Sequence, residues 1–219
     1  MCRTQRVMDD TAAQRITDAA VDCLFARGFA GTTLRSIAAA ADVPVARIYE
    51  HHASKAALVA EIIGAADDAL MAQTFAALAD AADTPAARLD AVVWAQSDFH
   101  ARHARASRVA QTEVRSLAPE DRERILATRR RMQDLLDAIL ADGAAQGCFA
   151  ISDATAVGRA LLSMCAAIPF CVDPADVGAP RRIARVYCDL AARMTARLPV
   201  DAAPAAAERP ARLAVGAAA

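Results

Sequence analysis

Residues 15–58 read RITDAAVDCLFARGFAGTTLRSIAAAADVPVARIYEHHASKAAL, and this stretch decides the fold. Apolar residues recur at helical spacing in its first part, with Ile16 and Leu24 on one face of a helix over about 11–27. Gly28 predicts the end of that helix. Two shorter helices follow, joined by a tight turn, and this arrangement is typical of a helix-turn-helix.

The two short helices alone do not distinguish a DNA-reading motif from an ordinary helical hairpin inside a core. The composition of the second helix favours DNA. Val45 and Ile48 can pack inward, which leaves Ala46, Arg47, Glu50 and His51 facing out. A short face with a small residue, an arginine and a histidine suits approach to base edges in a major groove.

The same stretch resembles the DNA-binding domain of TetR-family transcriptional regulators, in the family's order and spacing and without a gap. The matching pieces are Ala19–Ala20, Leu24–Phe25, Gly28–Phe29, Thr32–Thr33, Ile37–Ala38, Ala41, Val43, Ile48–Tyr49, Ser54–Lys55 and Leu58. The resemblance, together with the local chemistry, implies these DNA-binding residues: Thr32, Thr33, Val45, Ala46, Arg47, Tyr49, His51 and Lys55. Of these, the family's counterparts of Thr33, Tyr49 and Lys55 touch phosphates.

Physical chemistry supports the expected contacts of Thr33 and Lys55 with DNA phosphates. Thr33 sits at a predicted helix N-terminus, where a hydroxyl and free N–H groups can bind phosphate. Lys55 is the only lysine among 25 Lys and Arg residues, which suggests a specific need for it, although a lone lysine is usually a solvated surface charge. The first 60 residues carry seven basic and six acidic residues, so affinity should depend on a few placed contacts and on dimerisation.

Four positions depart from the family's pattern. Asp42 stands in the turn where glycine is usual, and aspartate tolerates the left-handed conformation better than most residues. Pro44 and Ala46 replace the common Ser and Gly, and His52 replaces an aromatic Phe or Trp. We therefore expect the family's fold, with its own base preference and local packing.

The composition of the whole chain favours helices. Apolar residues make up 56% and aromatics 4%, and alanine and leucine, both strong helix formers, supply most of the apolar share. Caps and breakers predict about nine helices and no strand, and hence an all-α fold. Ser54, Thr84 and Asp153 are the predicted starts of three of these helices. Two of the predicted helices cover about 106–117 and 154–171. The expected divisions are a helix-turn-helix DNA-binding domain at 1–57, a helical ligand-binding and dimerisation domain at 58–198, and a disordered Ala/Pro-rich tail at 199–219. Residues 1–10 are expected to form a polar arm that either reaches a minor groove or stays inert.

Charge and motifs exclude several classes. The formal net charge is -1, so the chain as a whole is not a basic nucleic-acid binder. It contains no GxGxxG, GxSxG or HExxH, so we expect neither an enzyme nor a cofactor. Six cysteines without a CxxC pair, and no secretory segment, indicate reduced thiols in the cytoplasm. No membrane segment is expected, since no apolar stretch of spanning length lacks charges.

Apolar stripes in the last two helices are consistent with either a core or a dimer surface. They comprise Val157, Leu161, Met164, Cys165 and Ile168 in one helix, and Ile183, Val186, Tyr187, Leu190 and Met194 in the other. The family resemblance implies a homodimer through these helices. A two-fold dimer can present two recognition helices to half-sites about 34–36 Å apart on a palindrome.

Residues 98–125, DFHARHARASRVAQTEVRSLAPEDRERI, resemble a TetR subgroup related to lipid and sterol catabolism, whose members often respond to acyl-CoA thioesters. The ligand-binding residues we expect are Trp94, Phe99, His103, Arg105, Arg108 and Phe170. The cationic side chains would hold CoA phosphates, and the aromatic rings would line an acyl tunnel. Alternatively, these arginines are solvated or paired with nearby carboxylates.

The resulting hypothesis is a repressor that a small-molecule effector, such as an acyl-CoA, releases from a palindromic operator by population shift. A hydrophobic or cationic drug-like effector stays open, as does a helical interaction module without DNA binding. His100 and His103 have a spacing that can suit a metal, but no nearby cysteine or carboxylate completes a set, so no metal site is expected.

Overall fold

The computed structural model describes the backbone of residues 3–196, and the side chains from residue 11 onward. This part of the chain consists of helices and contains no strand, which confirms the all-α prediction. The α-helices are α1 (Arg3–Gly31), α2 (Leu34–Ala41), α3 (Val45–Tyr49), α4 (Lys55–Asp80), α5 (Pro85–Arg102), α6 (Ala104–Thr112), α7 (Pro119–Ala145), α8 (Ala154–Ala167) and α9 (Ala179–Thr195). Two 3₁₀ turns follow α6 and α8, at Val114–Ser116 and Ile168–Phe170.

The N-terminal head is a three-helix unit of α1, α2 and α3. Its core contains Ile16, Ile37 and Ile48, all almost completely buried, and the first turn of α4 adds Leu58. The helical path of α1 breaks at Gly28, whose φ of 64° is in the region that favours glycine. The break redirects the chain into α2, as the sequence predicts.

Local capping fixes the two short helices. Thr33 caps α2 through a reciprocal pair of hydrogen bonds with Ser36, which is a capping box. Asp42 ends α2 in the left-handed conformation, with φ 52° and ψ 53°, as its tolerance of that region suggests. Pro44 precedes α3 in an extended conformation and occupies its N-cap position, one residue before the helical position that the sequence favours for proline.

The C-terminal bundle is organised around α5, which contacts α4, α7, α8 and α9. Its core contains Val92 of α5, Leu136 and Leu140 of α7, and Leu161 of α8. Thr84, Ser54 and Asp153 cap α5, α4 and α8 at the predicted positions.

A third core cluster joins the head to the bundle. It brings together Leu24 of α1, Ile63 of α4, Val109 of α6 and Ile125 of α7. Helix α4 therefore serves both parts, since Leu58 faces the head while Ile63 faces the junction. By length and composition α4 is apolar enough to cross a membrane. Its contacts with α5, α6 and α7, and an ion pair at Asp67, make it a helix of this bundle.

Some boundaries differ from the sequence expectation. The backbone is helical from Arg3, so the expected arm at 1–10 is largely a continuation of α1, consistent with its lack of glycine and proline. The helices expected near 106–117 and 154–171 are shorter, because each ends in a 3₁₀ turn. The tail expected at 199–219 lies outside the described residues.

Candidate DNA-binding and effector sites

Helix α3 presents a small exposed face beyond the head. Ile48 is fully buried and anchors the helix, while Tyr49 is 57% exposed. Ala46 and His51 are exposed, whereas Val45 packs partly against the core. The exposed face can approach base edges, because nothing in the described part of the subunit covers it.

Arg47 on this face is already held by the protein. Its Nη1 donates to Oε2 of Glu50 at 2.6 Å, one turn along the chain. Glu50 therefore restrains the direction of the guanidinium in the absence of DNA.

A concavity beside α3 gathers polar groups from three helix ends. Thr33 and Arg35 come from the start of α2, Tyr49 from the end of α3, and Ser54 and Lys55 from the start of α4. We call these five residues the phosphate cradle, since hydroxyls and cations at helix N-termini suit a phosphate. Arg35 and Ser54 were missed by the sequence reasoning. Arg35 could have been found from its place in the first turn of a capped helix.

The single lysine binds its own backbone. Lys55 Nζ donates to the carbonyls of Phe29 and Thr32, at 2.6 Å and 2.7 Å, and lies 3.9 Å from the centre of the Phe29 ring. The lysine that was expected to reach a phosphate is thus already bound to two backbone carbonyls. Two of its three N–H donors fix the turn between α1 and α2.

Thr32, which the sequence placed among the DNA contacts, is fully buried. Its hydroxyl donates to the carbonyl of Cys23 at 3.0 Å. A buried side chain in this position stabilises the turn and has no exposed atom that could contact DNA. Thr32 is therefore left out of the candidate DNA contacts.

Arg15 braces the helix-turn-helix from the side of α1. Its Nη2 donates to the carbonyl of Asp42 at 2.7 Å and also to that of Ala41. Both carbonyls lie at the C-terminal end of α2, where backbone acceptors lack helical partners. The turn is therefore held by an arginine of another helix as well as by its own conformation.

His52 fills the place where the sequence pattern leads one to expect an aromatic plug. Its ring is mostly buried, and Nδ1 lies 3.4 Å from Oε2 of Glu61 on α4. An aromatic Phe or Trp at this position would contribute only apolar packing. His52 instead makes a polar contact between the segment after α3 and helix α4.

A cavity of about 240 Å³ lies between α4, α5, α7 and α8. Its apolar lining is Leu70, Met71, Met132, Leu162 and Ala166. Its polar lining is Asp67, Gln96, His100, Gln111, Thr128, Arg129, Gln133, Arg159 and Ser163. A space that combines apolar side chains with convergent polar groups is typical of a small-molecule site.

An ion pair forms one wall of this cavity. Arg129 Nε donates to Asp67 Oδ2 at 2.8 Å, and Arg129 Nη2 donates to the carbonyl of Ala110 at 3.0 Å. Three helices, α4, α7 and α6, thus meet at one guanidinium. Burial raises the pKa of the Asp67 carboxyl and outweighs the opposing effect of Arg129.

His100 lies at the same wall and is 6% exposed. Burial, with a smaller contribution from the Arg129 charge, lowers the pKa of His100 to about 4. The ring is therefore neutral at physiological pH. Its Nδ1 atom is buried and has no hydrogen-bond partner among the described residues.

Two family descriptions match the chain. "Bacterial regulatory proteins, tetR family" covers residues 16–62, and "Tetracyclin repressor-like, C-terminal domain" covers residues 82–195, which is more than half of the chain. The chain belongs to the TetR family. Members are DNA-binding regulators and not enzymes, with a ligand-sensing C-terminal domain.

Solved structures agree with this assignment. A TetR-family regulatory protein from Rhodococcus is 32% identical, with a TM-score of 0.78, over 86% of this chain and 98% of its own. The TetR-family regulator PfmR from Thermus thermophilus is 30% identical, with a TM-score of 0.74, over 84% and 96%. AibR, in complex with isovaleryl coenzyme A and operator DNA, is similar in fold at 24% identity and a TM-score of 0.73, over 82% and 97%. No curated protein matches the chain.

None of the six ligand residues expected from the TetR resemblance lines the 240 Å³ cavity. Trp94 packs against the core of the bundle. Phe99 and His103 line a different cavity, of about 490 Å³, between α1, α4 and the end of α5. Phe170 is 49% exposed in the turn after α8. The expected residues of this TetR-family chain therefore lie near the cavity but on other faces of the helices.

Arg105 and Arg108 face the head instead of the cavity. Arg105 Nη1 donates to Asp22 Oδ1 of α1 at 2.9 Å. The Arg108 guanidinium lies 5.2 Å from the centre of the Phe25 ring and 5.4 Å from that of Phe170. These contacts place both arginines at the junction between the DNA-binding head and the bundle of this TetR-family chain, and the expectation that they hold CoA phosphates stays a prediction.

His100 and His103 do not form a metal site in the structure. His100 is buried at the cavity wall, whereas His103 is exposed at the end of α5. No group of three or more His, Cys, Asp or Glu side chains suited to a metal occurs among the described residues.

Proposed function

We propose that this TetR-family chain is a homodimeric repressor, acting in the cytoplasm, that binds a palindromic operator and leaves it when a small molecule fills the 240 Å³ cavity. The observation that carries the proposal is the pairing of an exposed α3 with a phosphate cradle at three adjoining helix ends. The exposed α3 residues would read bases, and the cradle would fix the register on the backbone.

The surface of α9 supports the dimer. Val186, Leu190 and Met194 follow one another at four-residue spacing and are 50%, 40% and 38% exposed. Ile183 and Tyr187, from the same expected stripe, pack instead on the bundle core. Exposed apolar residues along one stripe of a terminal helix suit pairing with a second copy about a two-fold axis.

The cavity and the head are linked by α4 and α6. Asp67 of α4 and the Ala110 carbonyl of α6 both bind Arg129 at the cavity wall. Both helices also contact α1. A ligand that moves Arg129 would therefore change the position of the head relative to the bundle. In a dimer, the distance between the two heads would change with it.

An acyl-CoA effector has one supporting observation, the complex of the similarly folded AibR with isovaleryl coenzyme A. The cavity of this chain has room for an acyl group, while the arginines expected at the CoA phosphates lie at the head. The alternative is a hydrophobic or cationic drug-like effector, and titration with both classes of ligand distinguishes it from an acyl-CoA.

The test is binding of DNA from the region upstream of the protein's own gene, measured by fluorescence anisotropy at several salt concentrations. We expect saturable, salt-dependent binding of a dimer. Arg47→Ala should weaken it, and Arg124→Ala, on the exposed surface of α7, should not. Failure of the wild type to bind any such fragment at low salt contradicts the proposal.

A further inference from the structure

We propose that the effector is a compact organic acid whose carboxylate binds at Arg129 and His100 and whose apolar body lies against Met71, Met132 and Leu162. This inference rests on the proposed role of the 240 Å³ cavity as the effector site. It goes further by naming the chemical class that the cavity accepts.

Size is the first argument. Cavities that enclose drug-sized ligands measure about 300–1,000 Å³, and this cavity measures about 240 Å³. It suits a short aliphatic chain or a single aromatic ring. A nucleotide-containing group would have to remain outside.

Charge is the second argument. Of the residues that line the cavity, Asp67 is the one carboxylate, and Arg129 already neutralises it. Arg159, exposed on α8 at the edge of the cavity, leaves the lining with an excess of positive charge. An anion is therefore favoured over a cation by the net positive charge of the lining.

Unused hydrogen-bonding capacity is the third argument. Arg129 uses Nε and Nη2 for Asp67 and Ala110, while its Nη1 donates to no other described residue. A guanidinium N–H pair and a neutral imidazole on the same wall suit the oxygens of a carboxylate. The apolar side chains opposite them favour a hydrocarbon body.

The cost of the buried pair agrees with a binding role. A mostly buried Asp–Arg pair is often no more stabilising than apolar residues of similar volume. Perturbed ionisable groups at the wall of a cavity are typical of functional sites. Here Asp67 and His100, whose pKa values are shifted by burial, lie beside Arg129 at one such wall, and binding of an acid would give this polar cluster a role beyond packing.

The test is calorimetric titration of the full-length dimer with matched ligands. Hexanoate, benzoate and phenylacetate are compared with hexanamide, benzamide and phenylacetamide, and with hexanoyl-CoA. We expect at least one acid to bind about ten-fold or more tightly than its amide, because the charge-assisted hydrogen bonds are lost in the amide. Comparable binding by acid and amide, tighter binding by the CoA thioester, or no binding by any acid overturns the inference.

Paired variants locate the carboxylate. Asp67→Asn with Arg129→Gln removes both charges together, so that neither is left buried alone, and it should abolish the preference for acid over amide. Arg130→Gln, on the next position of α7 with an exposed ion pair to Glu123, should keep the preference. Retention of the preference in the double variant overturns the inference. If the double variant does not fold by circular dichroism, the acid–amide comparison on the wild type decides.

The two proposals fail in different ways. Calorimetry contains no DNA, so it tests the ligand class alone. Acid binding without release of operator DNA contradicts the proposed mode of regulation and leaves the ligand class standing. Release of operator DNA by hexanoyl-CoA alone supports a ligand-regulated repressor and overturns the organic acid.

Discussion

Lys55 and Arg15 perform related tasks at neighbouring helix ends. Each cationic side chain donates hydrogen bonds to backbone carbonyls. Lys55 donates to Phe29 and Thr32, and Arg15 donates to a carbonyl at the end of α2. Hydrogen bonds from charged donors to such carbonyls are stronger than neutral ones. The sequence indicated that the lone lysine matters. The partners it binds are 23 and 26 residues away, and no local pattern reveals contacts at that distance.

Lys55→Met tests this role. Methionine keeps the packing on Phe29 but loses both hydrogen bonds, so the turn before α2 should loosen and the phosphate cradle should lose a charge. We expect operator affinity to fall about ten-fold or more, with ligand affinity unchanged, as read by anisotropy and calorimetry. Arg27→Met is the control, since Arg27 is exposed on α1. Equal operator binding by Lys55→Met and wild type would remove Lys55 from the site.

His100 predicts a dependence of stability on pH. Its pKa is lowered from 6.5 to about 4 in the folded state, so between these values the unfolded chain binds more protons. Stability should therefore fall as the pH falls from 6.5 to 4, by an amount on the order of 3 kcal/mol from this residue. Chemical denaturation at several pH values measures it. The fall should be smaller in His100→Gln, and identical pH profiles would contradict the assignment.

At the scale of helices, caps and breakers were the most predictable features. Thr84, Ser54 and Asp153 begin their helices as expected, because a cap is decided by a few adjacent residues. Helix ends that tighten into 3₁₀ turns were missed, since tertiary contacts decide them. The face that α5 turns to the cavity was also missed. It depends on which neighbours pack around α5, and almost all of that helix is buried.

Gly143 illustrates a constraint between elements. A Cβ there would lie 2.1 Å from Cδ2 of the buried Phe149 ring, so the end of α7 accepts no side chain. Gly143→Ala should lower the free energy of unfolding by about 1–3 kcal/mol, despite the better helix propensity of alanine. Gly64→Ala is the matched control, because a Cβ at Gly64 of α4 meets nothing within 4 Å among the described residues. It should raise stability by up to about 1 kcal/mol. A stabilising Gly143→Ala would show that Phe149 moves aside freely.

At the scale of the whole molecule, the junction is built from α6 and the turn after α8. Arg108 lies between Phe25 of α1 and Phe170 of that turn, and Arg105 binds Asp22. The cavity reaches the same region through Arg129 and Ala110. The sequence placed these arginines in a ligand site because residues 98–125 resemble an acyl-CoA-responsive subgroup, whereas the direction in which they point depends on the packing of α6 against α1.

Arg108→Ala should weaken the coupling between ligand binding in the cavity and operator binding by the head. We expect operator affinity and ligand affinity to change little, while the factor by which saturating ligand weakens operator binding falls about three-fold or more. Anisotropy titrations with and without the tightest-binding acid give that factor. Arg115→Ala, exposed in the turn after α6, should leave it intact. Loss of ligand affinity in Arg108→Ala would instead return this residue to the effector site.

The apolar stripe on α9 has a consequence for gene dosage. Under the proposed pairing, a single subunit carries one DNA-binding head and binds one half-site of the operator. Stable occupancy of the operator therefore requires two subunits at once. Where the cellular concentration lies below the dimer dissociation constant, occupancy rises with the square of the number of subunits. Val186, Leu190 and Met194 would then set the copy number at which the regulated promoter switches, and a polar substitution among them would move that threshold without altering a single contact to DNA.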